Sequence, residues 1–288
     1  MAAPWLLHGT LAVLALLLVA LVLALVRRRP GLGRGRLLDH VEELRRRLLV
    51  VAGVLLAGTL AALTIRLEER GGWPVPVVGF YDTLASQLFR AASQALLPPG
   101  VQLITTAPAD AFVAQFSIAL GIGIALAIPV AMDQLARFLA PALRPSEQRL
   151  LAWAVIPAVT LFLLGAAFGF VVLLPLTFEA LYRFSDALGA ATYITVADFA
   201  TFTLAFLAGC GLAFEMPLVM GLLSRVGLVS PRSYWRKWRH AVVAILVIAM
   251  VVTPDPTIVS QVLLAVPLIA LYVLGAGLAT WAARPTLA

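Results

Sequence analysis

The sequence predicts an all-α polytopic membrane protein. Three observations carry that reading. Apolar residues make up 62% of the chain and charged residues 12%, whereas a soluble domain is about 25% charged. The apolar residues are gathered into runs of membrane-spanning length, about 17 to 25 residues each. Finally, the 21 Lys and Arg residues cluster at the ends of those runs, so the formal net charge of +7 reflects topology and not nucleic-acid binding.

The first apolar run, Trp5 to Val26, is stopped by Arg27-Arg28-Arg29-Pro30-Gly31. A cleaved secretory signal carries its positive charge ahead of the apolar run. Here the order is reversed, so a retained transmembrane helix is expected. Residues 1–33 would form this extra N-terminal helix with its basic stop, and residues 34–288 the main membrane domain.

A Gly/Arg linker leads into a charged amphipathic segment, Leu37 to Leu49, which runs unbroken into the next apolar stretch. Asp39 and Glu42 make a capping-box-like start, and Val41, Leu44, Leu48 and Leu49 follow at helical spacing. The polar face holds Glu42, Glu43, Arg45, Arg46 and Arg47. Spacing alone gives Glu42/Arg46 and Glu43/Arg47 as i,i+4 pairs, each worth a few tenths of a kcal/mol. The sharper alternative is a carboxylate held at the membrane surface to receive a basic ligand.

Leu48 to Ile65 is read as the second span, followed by an external region over 66–110. That region is rich in Gly and Pro, but Phe80 to Leu97 is patterned as a helix lying on the membrane surface. Phe112 to Met132 forms a third span, expected to be interrupted at Pro129, and Asp133 to Arg149 an internal loop. The fourth span, Leu150 to Leu174, is expected to end at Pro175. An external loop over 178–198 precedes the fifth span, Phe199 to Leu223. After a basic loop, 224–240, come two final spans, Ala241 to Thr253 and Ile258 to Thr280, joined by Pro254-Asp255-Pro256. The Trp and Arg residues of 232–240 fit an aromatic-basic belt at a membrane surface.

Seventeen of the 21 Lys and Arg residues fall in 27–47, 134–149, 224–240 and the C-terminal tail. The positive-inside rule then places the N-terminus outside and the C-terminus in the cytoplasm.

Two features are unusual for a simple bundle. The run Ala241 to Thr253 makes roughly 20 Å of helix against a hydrocarbon core of about 30 Å, so the bilayer must thin there or one end must lie in a polar recess. Glu215 stands in the middle of a span, where an ionisable group costs about 2.5 to 3.5 kcal/mol or more without a polar partner. It is either a hydrogen-bonded packing carboxyl or a functional group.

Several chemistries are disfavoured. Cys210 is the only cysteine, and His8, His40 and His240 are scattered, so neither a disulfide nor a metal site is expected. No Walker-type glycine loop is present, and no His/Asp/Ser cluster falls at membrane depth. No cofactor and no enzymatic activity are expected.

The motifs together resemble the TatC family, the multi-spanning receptor subunits of the twin-arginine protein translocase. His40-x-x-Glu43-Leu-Arg45-x-Arg47-Leu is similar to that family's N-terminal signature. Pro108-x-Asp110-x-Phe112 with Ser117 follows, then Phe138-Leu-Ala-Pro141-x-Leu143-x-x-x-Glu147-x-Arg149. Phe162-x-x-Gly165-x-x-Phe168, Gly211-x-x-Phe214-Glu215-x-Pro217 and Ser260-Gln261-x-x-Leu264 complete the order. The chain departs from the family pattern where Asp133-Gln134 replaces Tyr-Gln, and where Ala136 and Val273 replace a tryptophan and an acidic residue.

The resemblance implies a six-helix TatC-like bundle with a concave groove, to which the first helix is extra. It implies a receptor in the cytoplasmic membrane of a prokaryote that binds twin-arginine signal peptides of folded cargo. By the same resemblance Glu43 and Glu147 receive the two arginines, with Arg45 and Gln134 on the same platform. Glu215, Phe214, Pro217 and Gln261 would meet a helix of single-span TatA- or TatB-type partner subunits, in a self-associating complex driven by the proton gradient. For Gln261 an internal hydrogen bond is an equal alternative. Nucleic acid is not an expected partner. The competing class is a secondary transporter using Glu215 as an ion or proton site, which calls for inverted repeats that the sequence does not display.

Overall fold

The computed structural model describes residues 37–70, 73–79, 81–140, 145–189, 191–252 and 258–283. The predicted helix over 5–26 and the Pro254-Asp255-Pro256 turn lie outside the described residues. The chain divides into two compact units, one within Met1–Ala95, Leu103–Arg144 and Thr195–Thr201, the other within Leu96–Gln102, Pro145–Ile194 and Phe202–Ala288.

In the first unit the charged segment and the second span are a single helix, α1 (Leu37–Thr64). No proline interrupts it, and its straight-chain Leu and Arg residues favour helix. It packs against α3 (Asp110–Leu139) through small residues. A Cβ built on Gly123 would lie 2.3 Å from Thr59 Oγ1 and 2.7 Å from the Leu55 carbonyl oxygen, and one on Gly58 would lie 3.1 Å from Gly123 Cα. The backbones therefore touch, as membrane helices do where side chains are smallest. Thr59 Oγ1 donates back to the Leu55 carbonyl at 2.8 Å, so its hydroxyl is satisfied inside the contact.

The region after α1 is a hairpin, not a loop: β1 (Ile65–Arg70) pairs antiparallel with β2 (Trp73–Val78). Pro74 and Pro76 suggested irregular structure. They are two residues apart, so their missing N–H groups fall on the same side of β2, the open edge of a two-stranded ribbon, where no ladder bond is lost. The expected surface helix is α2 (Leu84–Leu96). Its Ala85 joins a core with Ala62, Ala114, Ile118, Ala119, Ile122 and Ala200, and Phe89 meets Phe199 edge to face at 5.5 Å.

In the second unit α4 (Pro145–Phe168) passes through a π-helical turn, Gly169–Leu173, into α5 (Leu174–Ala187). Pro175 thus does not end the span. The wide π turn includes Val171, four residues back, whose carbonyl would otherwise clash with the proline ring. The predicted loop over 178–198 correspondingly shrinks. Two three-residue strands, β3 (Gln102–Ile104) and β4 (Tyr193–Thr195), precede α3 and α6 (Val196–Phe214) respectively.

The predicted fifth span is broken: α6 stops at Phe214, Glu215 is a turn residue, and α7 (Met216–Arg225) continues. A Schellman arrangement ends α7, with Gly227 at φ +80°, Leu228 N–H on the Leu223 carbonyl and Gly227 N–H on that of Ser224. Then come α8 (Pro231–Arg236), α9 (Trp238–Val252) and α10 (Ile258–Ala282). Much of the expected basic loop is therefore helical. Among the described residues five helical stretches are long and apolar enough to cross a membrane, and one from Trp238 to Met250 is shorter, as the sequence predicted for that span.

Candidate functional site

Two places gather polar side chains where a span would otherwise be apolar, and each lies within one unit. The first is the charged end of α1. Glu43 and Arg47 are one turn apart, so both project from the same face. Arg47 turns one edge of its guanidinium to Glu43: Nε donates to Oε1 at 3.2 Å and Nη2 donates to the same oxygen. The remaining nitrogen, Nη1, donates to Gln134 Oε1 on α3 at 3.3 Å. Gln134 Nε2 in turn donates to Asp133 Oδ2 at 3.3 Å, and Asp133 pairs with Arg137 at 2.8 Å. The Arg47 side chain is 13% exposed and that of Glu43 30%. This is a partly shielded network, where charge-assisted bonds are stronger than in open water.

Its register comes from the glycine contact. Gly58 lies eleven residues after Arg47, and Gly123 eleven residues before Gln134. Because Gly58 meets Gly123 and Arg47 meets Gln134 at equal offsets, α1 and α3 run antiparallel and in step over about 16 Å of helix. Sequence reading put Asp133 and Gln134 in a loop; they sit instead on the last turns of α3, and that is what brings Gln134 to Arg47. The structure thus joins Glu43 and Gln134 through Arg47, and leaves Arg45 on an exposed position of α1. Glu147 stands on the first turn of α4, but its side chain lies outside the described residues. Arg47 and Asp133 are the participants that motif reading left in the background. The i,i+4 spacing pointed to the first, and the departure from Tyr-Gln marked the second.

The second place is the break between α6 and α7. Glu215 is 6% exposed and is the only buried carboxyl among the described residues. Its Oε1 is buried without a hydrogen-bond partner. The break follows from Pro217, the second residue of α7: it has no N–H for the Ala213 carbonyl, so the ladder is interrupted there. Glu215 N–H turns to the Leu212 carbonyl at 3.2 Å instead, and the Glu215 carbonyl accepts from Val219 at 3.0 Å.

Packing around the break is tight. A Cβ on Gly165 would lie 2.7 Å from both the Cys210 carbonyl oxygen and Phe214 Cγ, and one on Gly275 would lie 3.0 Å from Pro217 Cα. Phe214 also meets Phe168 at 5.6 Å between ring centres. Phe214 and Pro217, which flank the Glu215 turn in sequence, are thus packed against Gly165, Phe168 and Gly275. Gln261 on α10 donates from Nε2 to the Leu246 carbonyl of α9 at 3.0 Å, which engages one of its two amide hydrogens.

These features define a class: a polytopic helical membrane protein with its polar side chains held at a helix end and at a helix break. Comparison with known proteins narrows the class. The family model described as Sec-independent protein translocase protein (TatC) matches residues 39–267. The chain is 38% identical over 240 residues to the TatC protein of Cenarchaeum symbiosum, covering 82% of this chain and 91% of that one. It is 33% identical over 249 residues to that of Deinococcus radiodurans, covering 85% and 86%. A crystal structure of the twin-arginine translocase receptor TatC superposes with a TM-score of 0.72 at 30% identity, over 85% of this chain and 100% of the other. The chain belongs to the TatC family. It is a multi-pass membrane component of a prokaryotic protein translocase and not an enzyme.

Proposed function

We propose that this chain is the signal-peptide receptor and core subunit of its translocase. Glu43 and Glu147 accept the paired guanidinium groups of a twin-arginine signal peptide at the cytoplasmic face, and Arg45 and Gln134 are further peptide-binding residues. Glu215 draws in a single-span TatA- or TatB-type subunit by hydrogen bonding to a polar group on its helix. In this reading residues 1–33 are an added anchor helix, 34–288 the receptor core, the N-terminus lies outside and the C-terminus inside, and the proton gradient supplies the energy.

The observation that carries the proposal is that Glu43 is engaged by a guanidinium, that of Arg47, whose Nε and Nη2 both donate to one carboxylate oxygen, so this position accepts a guanidinium. A guanidinium offers a planar fork to a carboxylate and a lysine does not, so the site discriminates Arg from Lys at equal charge. Titrating the detergent-solubilised protein with an Arg-Arg signal peptide, its Lys-Lys counterpart, and the E43Q and E147Q variants tests this. Lys-Lys binding and both variants should be weaker by about tenfold, the loss of about one charge-assisted bond. Equal affinity for Arg-Arg and Lys-Lys would overturn it. For Glu215, crosslinking of the partner helix should fall in E215A; undiminished crosslinking would remove that part of the proposal.

The break between α6 and α7 taken alone would suit a secondary transporter. Membership of a protein translocase family and the lack of a visible inverted repeat in the sequence weigh against that reading.

A further inference from the structure

We infer that Arg47 is a resident stand-in for the ligand: its guanidinium occupies Glu43 in the unliganded protein, and a signal-peptide arginine binds by displacing it. The inference rests on the reading of Glu43 as an acceptor for the peptide, and it adds a residue that sets the affinity of that site.

The geometry supports displacement in three ways. Arg47 places its Nε/Nη2 edge against a Glu43 oxygen, so a second guanidinium brought to this carboxyl competes with it for the same group. Arg47 is on the same helix as Glu43, one turn away, so it competes intramolecularly, at an effective concentration fixed by the helix, and a peptide must exceed that to displace it. And Nη1 already touches Gln134, which is bonded to Asp133. A displaced Arg47 can keep its bond to Gln134 and is not left in an apolar setting without a partner, which would be costly.

The consequence is a threshold. A single cation that reaches the rim must compete with an arginine already in place, whereas a ligand with two guanidiniums has a second contact with which to offset the exchange. The resident arginine lowers the apparent affinity for all cationic ligands by one common factor, set by how tightly it holds Glu43. It therefore suppresses weak ligands below the working concentration without altering the Arg-to-Lys ratio.

The experiment is peptide titration of the full chain carrying R47Q, R47K or E43Q, with R46Q as a control for charge alone. R46Q removes the same charge from an exposed neighbouring position. The inference expects R47Q to bind both Arg-Arg and Lys-Lys peptides more tightly, by about two- to fivefold, the range for a part-exposed ion pair. R47K should fall between R47Q and the unchanged protein, and R46Q should shift affinity by less than R47Q does. In an E43Q background R47Q should give no gain. Weaker binding in R47Q and R47K would overturn the inference, because it would make Arg47 a positioning residue for Glu43. An R46Q gain equal to that of R47Q would also overturn it, by assigning the effect to net charge. Should E43Q leave Arg-Arg binding unchanged, it is the underlying reading of Glu43 that fails. Loss of binding in E43Q with no gain in R47Q sinks only the stand-in role. R47K retains the charge and so keeps the test informative if R47Q does not fold.

Discussion

Glu43 and Glu215 are the same residue in opposite settings. Glu43 lies near the start of a long helix, 30% exposed, with an arginine one turn away. Glu215 lies at a helix break, 6% exposed, with Oε1 lacking a hydrogen-bond partner. The first setting meets the carboxyl with a guanidinium, which suits exchange of one cation for another. The second keeps a polar group at a depth where leaving it unpaired is costly, which suits recruitment of a donor that arrives on another helix. What the contrast teaches is that the chemistry of each carboxyl is set by backbone: continuous helix supplies the i,i+4 partner in one case, and proline removes the ladder around the other.

The largest expected effect comes from forcing the buried site to resemble the exposed one. Glu215→Lys puts a long cation into the packed break and should cost at least about 3 kcal/mol, read as loss of a monodisperse species in detergent. Glu215→Gln keeps size and hydrogen-bonding capacity and should stay within about 1 kcal/mol. Equal stability of the two variants would show that the break is open to water.

Next comes Gly123→Leu, which strikes the exposed site from a distance. With a Cβ already 2.3 Å from Thr59 Oγ1, the added side chain should cost about 2 kcal/mol by overpacking. It should also weaken Arg-Arg peptide binding by separating Gln134 from Arg47. Unchanged thermal midpoint and affinity would refute the close contact.

Smaller still is the response to salt. Raising sodium chloride from 0.05 to 0.5 M should weaken Arg-Arg peptide binding by several-fold through screening of the part-exposed ion pairs. Partner crosslinking that depends on Glu215 should change less, since buried interactions are poorly screened. A reversed order would erase the distinction between the sites.

The smallest effect belongs to a third carboxylate, Asp82, which serves as a surface control. Its hydrogen bond from Arg90 chiefly holds it below the ordinary carboxylate value, helped by Gln87 and Arg66. A lowered folded-state value contributes stability above the unfolded pKa of about 3.9 and loses it as pH falls through the folded value. Both side chains are substantially exposed, so after screening the contribution is at most about 0.5 kcal/mol. The gap in melting temperature between the unchanged protein and Asp82→Asn should be small at pH 7 and shrink as pH falls below about 3.9. A gap that widens in acid would contradict the assignment.

Sequence alone located the charged helix, a helix within 80–97, the short apolar helix near Ala241 and the odd carboxyl at 215. Those features rest on local periodicity and composition, which one chain displays in full. It misjudged elements whose shape depends on hydrogen bonds that residue type does not display. Pro175 looked like a stop because a π turn is invisible in composition, and Pro74 and Pro76 looked like a loop because edge placement depends on the pairing partner. The interruption expected at Pro129 is absent, since α3 runs through it as Pro267 is run through in α10; the break falls instead at Glu215, ahead of Pro217, where a continuous span is expected. Of the site, Glu43 and its i,i+4 arginine were legible. The contact between Arg47 and Gln134 was not, because it requires α3 to continue past Met132 and to align with α1.

That alignment has a consequence for heredity. The glycine that sets it lies about 16 Å along the helix from Gln134, yet a change there alters how Arg47 meets Gln134, so, in the proposed reading, affinity for a signal peptide can drift through substitutions that never touch it. Mutants that regain export of poorly recognised cargo should therefore map to Gly58, Thr59 and Gly123 as well as to the charged end of the helix.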